Sequence, residues 1–239
     1  MNKRIISLIL SLICLAGLIT LPAHAEEEEV VSSFRYDQII QLGFMSGEED
    51  PDYIVTRGEF ADIICKVNNL GTKALSARMY SDVAFGDKYY DSIQLVSETN
   101  IMVGYEDGSF KPNEPVTVIQ ALKVLVEIAG YKNIALVYGG YPKGYSKKAD
   151  ELKLLKYTDI HSQNVALKRR DLGIILHNLM IAPTANIGFL AGEESFGYKY
   201  HGLSYASGVV TANSITNFSE SIQTVSETQI AIDDKIVEI

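Results

Sequence analysis

The 239-residue sequence has no tryptophan, two cysteines and four histidines. No two of His161, His177 and His201 stand at metal-ligand spacing. Neither H-E-x-x-H, a P-loop nor G-x-S-x-G occurs. Metal, nucleotide and serine-hydrolase chemistry therefore have no local signature, and no cofactor is expected. Positive charge is also scarce: the formal net charge is -9 and the pI is near 5.0. Such a chain repels polyanions, which excludes nucleic acid and anionic lipid as general partners. A few local arginines can still hold a small anion, because net charge does not describe a site. The Asp107 turn lacks the alternating acids and distal Glu of a calcium loop.

Only one long apolar run is present, and it lies at the N-terminus. Lys3 and Arg4 precede Ile5 to Leu21, and Pro22 then leads into Ala23-His24-Ala25. This is the pattern of a secretory signal peptide (1–25) cut after Ala25. The run is near the lower limit for spanning a bilayer, and the Ala-x-Ala ending favours cleavage over an anchor. No membrane span is expected after cleavage. Of the cysteines, Cys14 goes with the signal, so Cys65 cannot form an intramolecular disulfide. It lies on the apolar side of an expected helix and reads as a small buried hydrophobe. Glu26 to Glu29 read as part of a solvated linker over 26–33.

What is present is an internal repeat. Three segments (34–78, 79–141 and 142–183) share one plan: a short amphipathic helix, a glycine-rich turn and a longer amphipathic helix. The middle copy is the clearest. It opens on Tyr80-Ser81-Asp82-Val83. A first helix follows, with Tyr89, Tyr90, Ile93, Leu95 and Val96 on it. Asn100 is placed to end that helix in a left-handed turn. Ile101 to Pro112 is a turn region punctuated by Gly104 and Asp107-Gly108. Thr117 starts the second helix and Gly130 ends it. In the outer copies, Tyr36, Ile39, Ile40 and Leu42 and then Ala149, Leu152 and Leu155 mark the first helices. Thr56 starts the second helix of the first copy, which ends near Gly71. Pro183 closes that of the third. Beyond it, Val209 to Thr211 and two stretches around Asp233-Asp234 read as strands. They imply a small β-rich module over 184–239, either minimal or truncated.

The second helices open on related signals. Thr56 with Glu59, and Thr117 with Gln120, fit the capping box. The threonine oxygen accepts from the backbone N–H three residues on, and the Glu or Gln side chain returns to the threonine N–H. The third copy has Lys168-Arg169-Arg170-Asp171 there and lacks the hydroxyl. Arg57 and Arg169 fall in the first turn, beside free N–H groups and the positive end of the helix dipole, where an anion is favoured. A guanidinium can grip a carboxylate through two parallel hydrogen bonds. Both arginines are expected to be exposed. Asp82 is expected to cap the following helix. One of Tyr89 and Tyr90 is expected to pack and the other to be exposed.

YSDV at Tyr80, the Tyr89-Tyr90 pair, GYEDGSFKP from Gly104 and the Thr117 helix together resemble the S-layer homology (SLH) domain. VTRGE at Val55 and LKRRD at Leu167 match the opening of the family's second helix. The resemblance covers roughly Phe34 to Ala182. It implies a mainly α fold: three helix-loop-helix repeats in a pseudo-threefold spindle, here followed by the β-rich segment. It further implies that grooves between repeats bind a secondary cell-wall polymer, an anionic polysaccharide often bearing ketal-linked pyruvate. The polymer-binding residues carried over are Arg57, Arg169, Tyr90 and Asp107, with Arg170 as a neighbouring candidate. Val118 stands where the middle copy should carry its arginine, so fewer than three working grooves are expected.

The functional expectation is non-covalent anchoring at a bacterial cell surface. A self-associating structural subunit of a surface layer is the alternative, and a wall-active glycoside or peptidoglycan hydrolase ranks last. Paired carboxylates from distant parts of the chain leave that last reading open.

Overall fold

The computed structural model describes residues 23–74, 80–186, 190–206, 209–212, 229–232 and 235–238. The apolar run of the expected signal peptide lies outside them, as do Asp233 and Asp234. In chain order the helices are α1 (Ala23–Gln41), α2 (Arg57–Val67), α3 (Tyr90–Glu98), α4 (Val118–Ile128), α5 (Lys132–Val137), α6 (Lys143–Glu151) and α7 (Arg169–Ile181). The fold is mainly α. Strands β1 (Pro183–Asn186) and β2 (Leu190–Ser195), helix α8 (Phe196–His201) and strands β3 (Leu203–Ala206), β4 (Val209–Ala212), β5 (Gln229–Ile232) and β6 (Lys235–Glu238) follow. The strands pair antiparallel as β1-β2, β3-β4 and β5-β6.

Helix α1 departs from the expected linker, because residues 26–33 belong to it. Val31, Arg35 and Ile39 recur every four residues, so they share one face, and all three are buried. That face packs on α7. Glu26 to Glu29 fall within its first two turns. Helix α2 ends at Val67, earlier than Gly71, because Asn69 turns left-handed at φ 49°. Asn100 does the same after α3, at φ 55°. Helix α5 was not expected from the sequence.

The three second helices, α2, α4 and α7, are joined at their N-terminal ends. Val55 N–H donates to Leu167 O (2.9 Å), Leu167 N–H to Val116 O (2.8 Å), and Val116 N–H to Val55 O (3.0 Å). The three bonds close a cycle. The first N–H of each helix then donates into the loop of the next copy: Arg57 to Glu114 O, Val118 to Val165 O and Arg169 to Tyr53 O. Side-by-side packing follows the same order, with α2 on α3, α4 on α6 and α7 on α1. Each second helix thus pairs with the first helix of the copy that follows it around the cycle. Phe60, Ile64, Leu122, Leu125, Leu172, Ile175 and Leu176 fill the shared core.

A polar cluster is buried between α1 and α7. Arg35 Nη1 donates to His177 Nδ1 (3.0 Å) and to Asn178 Oδ1 (2.9 Å). Arginine is only a donor, so His177 must accept at Nδ1, carry its hydrogen on Nε2 and donate to Gln38 Oε1 (2.8 Å). The ring is neutral. Complete burial, with the Arg35 charge beside it, holds its pKa well below the ordinary histidine value.

The first part of the segment after Pro183 packs on the helices. Phe196 and Leu203 are 0 % and 1 % exposed and belong to the main core. Ala185 N–H bonds Ala129 O, Tyr131 Oη–H bonds Pro183 O, and His201 Nε2–H bonds Val67 O at the C-terminal end of α2. Cys65 is buried and its thiol is pushed up to about 12, chiefly by burial.

Candidate functional site

Helix starts were expected to offer free N–H groups to an anion, but here they do not. Arg57 N–H and Gly58 N–H donate to Glu114 O and Pro112 O, and Glu59 N–H donates to Thr56 Oγ1. The same exchange consumes the first N–H groups of α4 and α7. Whatever anion-binding capacity exists must come from side chains.

The capping residues differ between copies. Thr117 and Gln120 close a complete box: Gln120 N–H donates to Thr117 Oγ1, and Thr117 N–H donates to Gln120 Oε1. At α2 the Thr56 hydroxyl accepts from Glu59, but the Glu59 carboxylate is drawn to Arg169. A full positive charge attracts a carboxylate more strongly than one backbone N–H does.

The two motif arginines are buried, against the expectation of exposure: Arg57 is 9 % and Arg169 2 % exposed. Each second helix begins against its neighbour's loop, so its first side chain points into the seam. Arg57 Nε donates to Phe110 O (2.9 Å) and Nη2 to Val103 O (3.2 Å). The guanidinium lies 4.9 Å from the ring centres of both Tyr105 and Phe110. Among the described residues Arg57 has no ion pair. Burial of that unpaired cation pulls its pKa below the usual arginine value, though arginine stays charged throughout the physiological range. Arg169 meets the opposite surroundings. It ion-pairs with buried Glu59 through Nη1 and with Glu49 through Nη2 (3.3 Å), and Nη2 also bonds Ser46 O (2.8 Å).

The loop that holds Arg57 is built by its sequence. Gly108 takes φ 80°, and the Asp107 carboxylate accepts from Ser109 N–H and Oγ–H. At Gly104 a Cβ would come within 2.4 Å of the Tyr80 ring, so no larger residue fits beneath it. Asp82 does not cap a helix. Its two carboxylate oxygens accept from Phe110 N–H and Lys111 N–H (2.8 Å each), which fixes the loop instead. Phe110, fully buried, is thereby set under Arg57.

A cleft of about 490 Å³ opens at Arg57, between the first and middle copies. Asn100, Tyr105, Gln120, Lys123 and Tyr141 line it with apolar Phe60, Met102, Val103 and Val124. No carboxylate is among the described lining residues. Lys123 adds a second cation, partly offset by Glu127 at 3.2 Å. Tyr105 and Tyr141 are 40 % and 51 % exposed, and the Tyr105 ring lies against both Arg57 and Lys111. Sequence reasoning passed over Lys123, Tyr105 and Tyr141. Lys123 was detectable, because it lies three residues beyond Gln120 on the same helical face.

The other candidates are dispersed. Tyr90 and Tyr89 are both half-buried, and Tyr90 packs edge-on to Phe85. Asp107 lines a different surface depression, with Asp82, Lys111 and Glu114. Its hydrogen bonds from Ser109 hold its carboxyl below the usual range. Arg170 lines a third depression with Lys168, Asp159 and Asp171, where charges of both signs are mixed. The structure thus brings Arg57 and Gln120 together and leaves Arg169, Tyr90, Asp107 and Arg170 elsewhere.

Comparison with known proteins places these features in context. Residues 80–121 match the S-layer homology domain family. The chain is 31 % identical over 141 residues to the middle cell wall protein of Brevibacillus brevis, covering 58 % of this chain and 13 % of that protein. It is 32 % identical over 117 residues to the surface layer protein of Brevibacillus choshinensis, covering 48 % and 10 %. A cell surface protein of Thermoanaerobacter kivui is 24 % identical over 199 residues, or 80 % of this chain and 25 % of that protein. The chain therefore spans a quarter or less of the length of these relatives. The strapped loop around Asp82, Gly104 and Phe110 and the capped start of α4 fall within the matched segment, and the chain carries an S-layer homology domain at residues 80–121.

Proposed function

We propose that this chain works at the bacterial cell surface as a non-catalytic anchor that holds an anionic cell-wall polysaccharide in the Arg57 cleft. One observation carries the reading: a buried guanidinium, fixed by two carbonyls and two rings, lines an open cleft, and among the described residues it has no ion pair and the lining has no carboxylate. Two of its five N–H donors are engaged, so a carboxylate can still be held by charge-assisted hydrogen bonds. A ketal-linked pyruvate suits the site, since it presents a carboxylate beside a methyl group and the cleft pairs cations with apolar side chains. Exposed Tyr141 offers a ring against which a sugar can lie. The names of the relatives, which include a cell wall protein and two surface proteins, agree with this location.

Purified pyruvylated wall polymer is expected to bind the chain, and the same polymer stripped of pyruvate to bind far less. Arg57→Ala removes charge-assisted bonds of about 1.5–3 kcal/mol, a roughly ten- to hundredfold loss of affinity. Arg57→Lys keeps the charge without the planar fork and should recover only part of it. Equal binding of both polymers would refute the carboxylate account. A second reading, a subunit of a surface lattice, is favoured by the relative named a surface layer protein. It predicts self-association at high concentration, where a simple anchor stays monomeric.

A further inference from the structure

We infer that the residue at the fourth position of each second-helix opening decides whether the preceding copy's arginine is free to bind ligand, and that Gln120 is what keeps Arg57 open. The inference rests on the anchor reading above and specifies which side chain controls that site.

The cycle of backbone bonds places each motif arginine against the following copy. Arg169 of the third copy points into the first, where the fourth position is Glu59. Glu59 has left its own capping box and neutralises Arg169 inside the seam, with both side chains almost fully buried. Arg57 of the first copy points into the second, where the fourth position is Gln120. Gln120 has the same place in its helix but no charge. Its Oε1 is occupied by Thr117 N–H, and it lines the cleft beside Arg57. One seam therefore closes on an internal ion pair, and the other leaves a cation facing open space. The middle copy has Val118 in place of an arginine, so its seam with the third copy, which carries Asp171, has no cation at that position to free. Of these three seams, one therefore keeps a working cleft.

A carboxylate installed at position 120 should fold back on Arg57 and compete with ligand. Glutamate there is compatible with the fold, because it is a standard capping-box residue. A neutral side chain of similar length should leave the cleft open.

The test is calorimetric titration of the full chain with a methyl glycoside bearing ketal-linked pyruvate, beside the same glycoside without pyruvate. Wild type should bind the pyruvylated probe with one site. Gln120→Glu should weaken it by at least about tenfold, and by clearly more than Gln120→Met, which removes the amide without adding a charge. Glu59→Gln combined with Glu49→Gln should release Arg169 and raise the stoichiometry towards two. If that double variant does not fold by circular dichroism, the two Gln120 variants decide alone. Undiminished binding by Gln120→Glu, with binding lost in Arg57→Ala, would overturn the gating and leave the anchor reading standing. Equal losses in Gln120→Glu and Gln120→Met would also overturn it, since the amide itself would then be the contact. Undiminished binding by Arg57→Ala would remove the anchor reading itself.

Discussion

Acidification should loosen the seam between α1 and α7 through His177. The ring is buried, accepts from Arg35 at Nδ1 and donates to Gln38 at Nε2, so a second proton has no acceptor and meets a cation. Burial, with Arg35 beside the ring, holds its folded pKa well below the ordinary histidine value of 6.5. The sign follows from linkage. As pH falls through 6.5 the unfolded chain takes up a proton that the folded chain refuses, so stability is complete above that value and is lost below it. Between the unfolded value and the lower folded one, the single withheld proton steepens the loss towards about 1.4 kcal/mol per pH unit. His201, buried with its Nε2–H on Val67 O, shifts in the same direction and adds to the trend. Urea unfolding followed by circular dichroism at several pH values measures the effect. His177→Gln should be less stable than wild type at neutral pH yet flatter between pH 7.5 and 5.5, and the comparison cancels all carboxylate contributions common to both proteins. Parallel stability curves for wild type and variant would refute the argument, since they would mean that His177 is protonated in the folded chain or reaches water.

Two further outcomes test the packing. Phe196→Ala empties a fully buried site between the C-terminal segment and the helices, and should lower unfolding free energy by about 3–5 kcal/mol in the same denaturation assay; a surface-like loss below about 0.5 kcal/mol would mean that the segment is not part of the core. Cys65, with its thiol pushed up to about 12, should resist a thiol-reactive dye in native buffer and react only in denaturant. Fast native labelling would place it at the surface.

Local patterns made the helices legible, and distant partners hid the chemistry of the site. The start of α4 could be read because its capping box spans four consecutive residues, and its end because Gly130 supplies φ 89°. Burial of the arginines could not be read, because what surrounds Arg57 comes from residues 103–110, and what neutralises Arg169 lies 110 positions away. The same holds for Asp82, whose acceptors' partners are 28 and 29 residues downstream, so a local cap was the natural but incorrect inference. Helix α1 ran beyond its apparent start because the four glutamates read as solvated charge, while the Val31-Arg35-Ile39 face became meaningful only once α7 was beside it. Arg35 and His177 carried no signal as a pair.

The closed triangle through Val55, Val116 and Leu167 bears on how such a chain can be made. Its first and last members are far apart in sequence, and a polypeptide emerging N-terminus first has no third corner until Leu167 has followed Val55 and Val116. Until then the amides at the other two corners must bond water, and the shared hydrophobic centre stays unsealed. A nascent chain of this design can lock its first two copies together only when the third arrives.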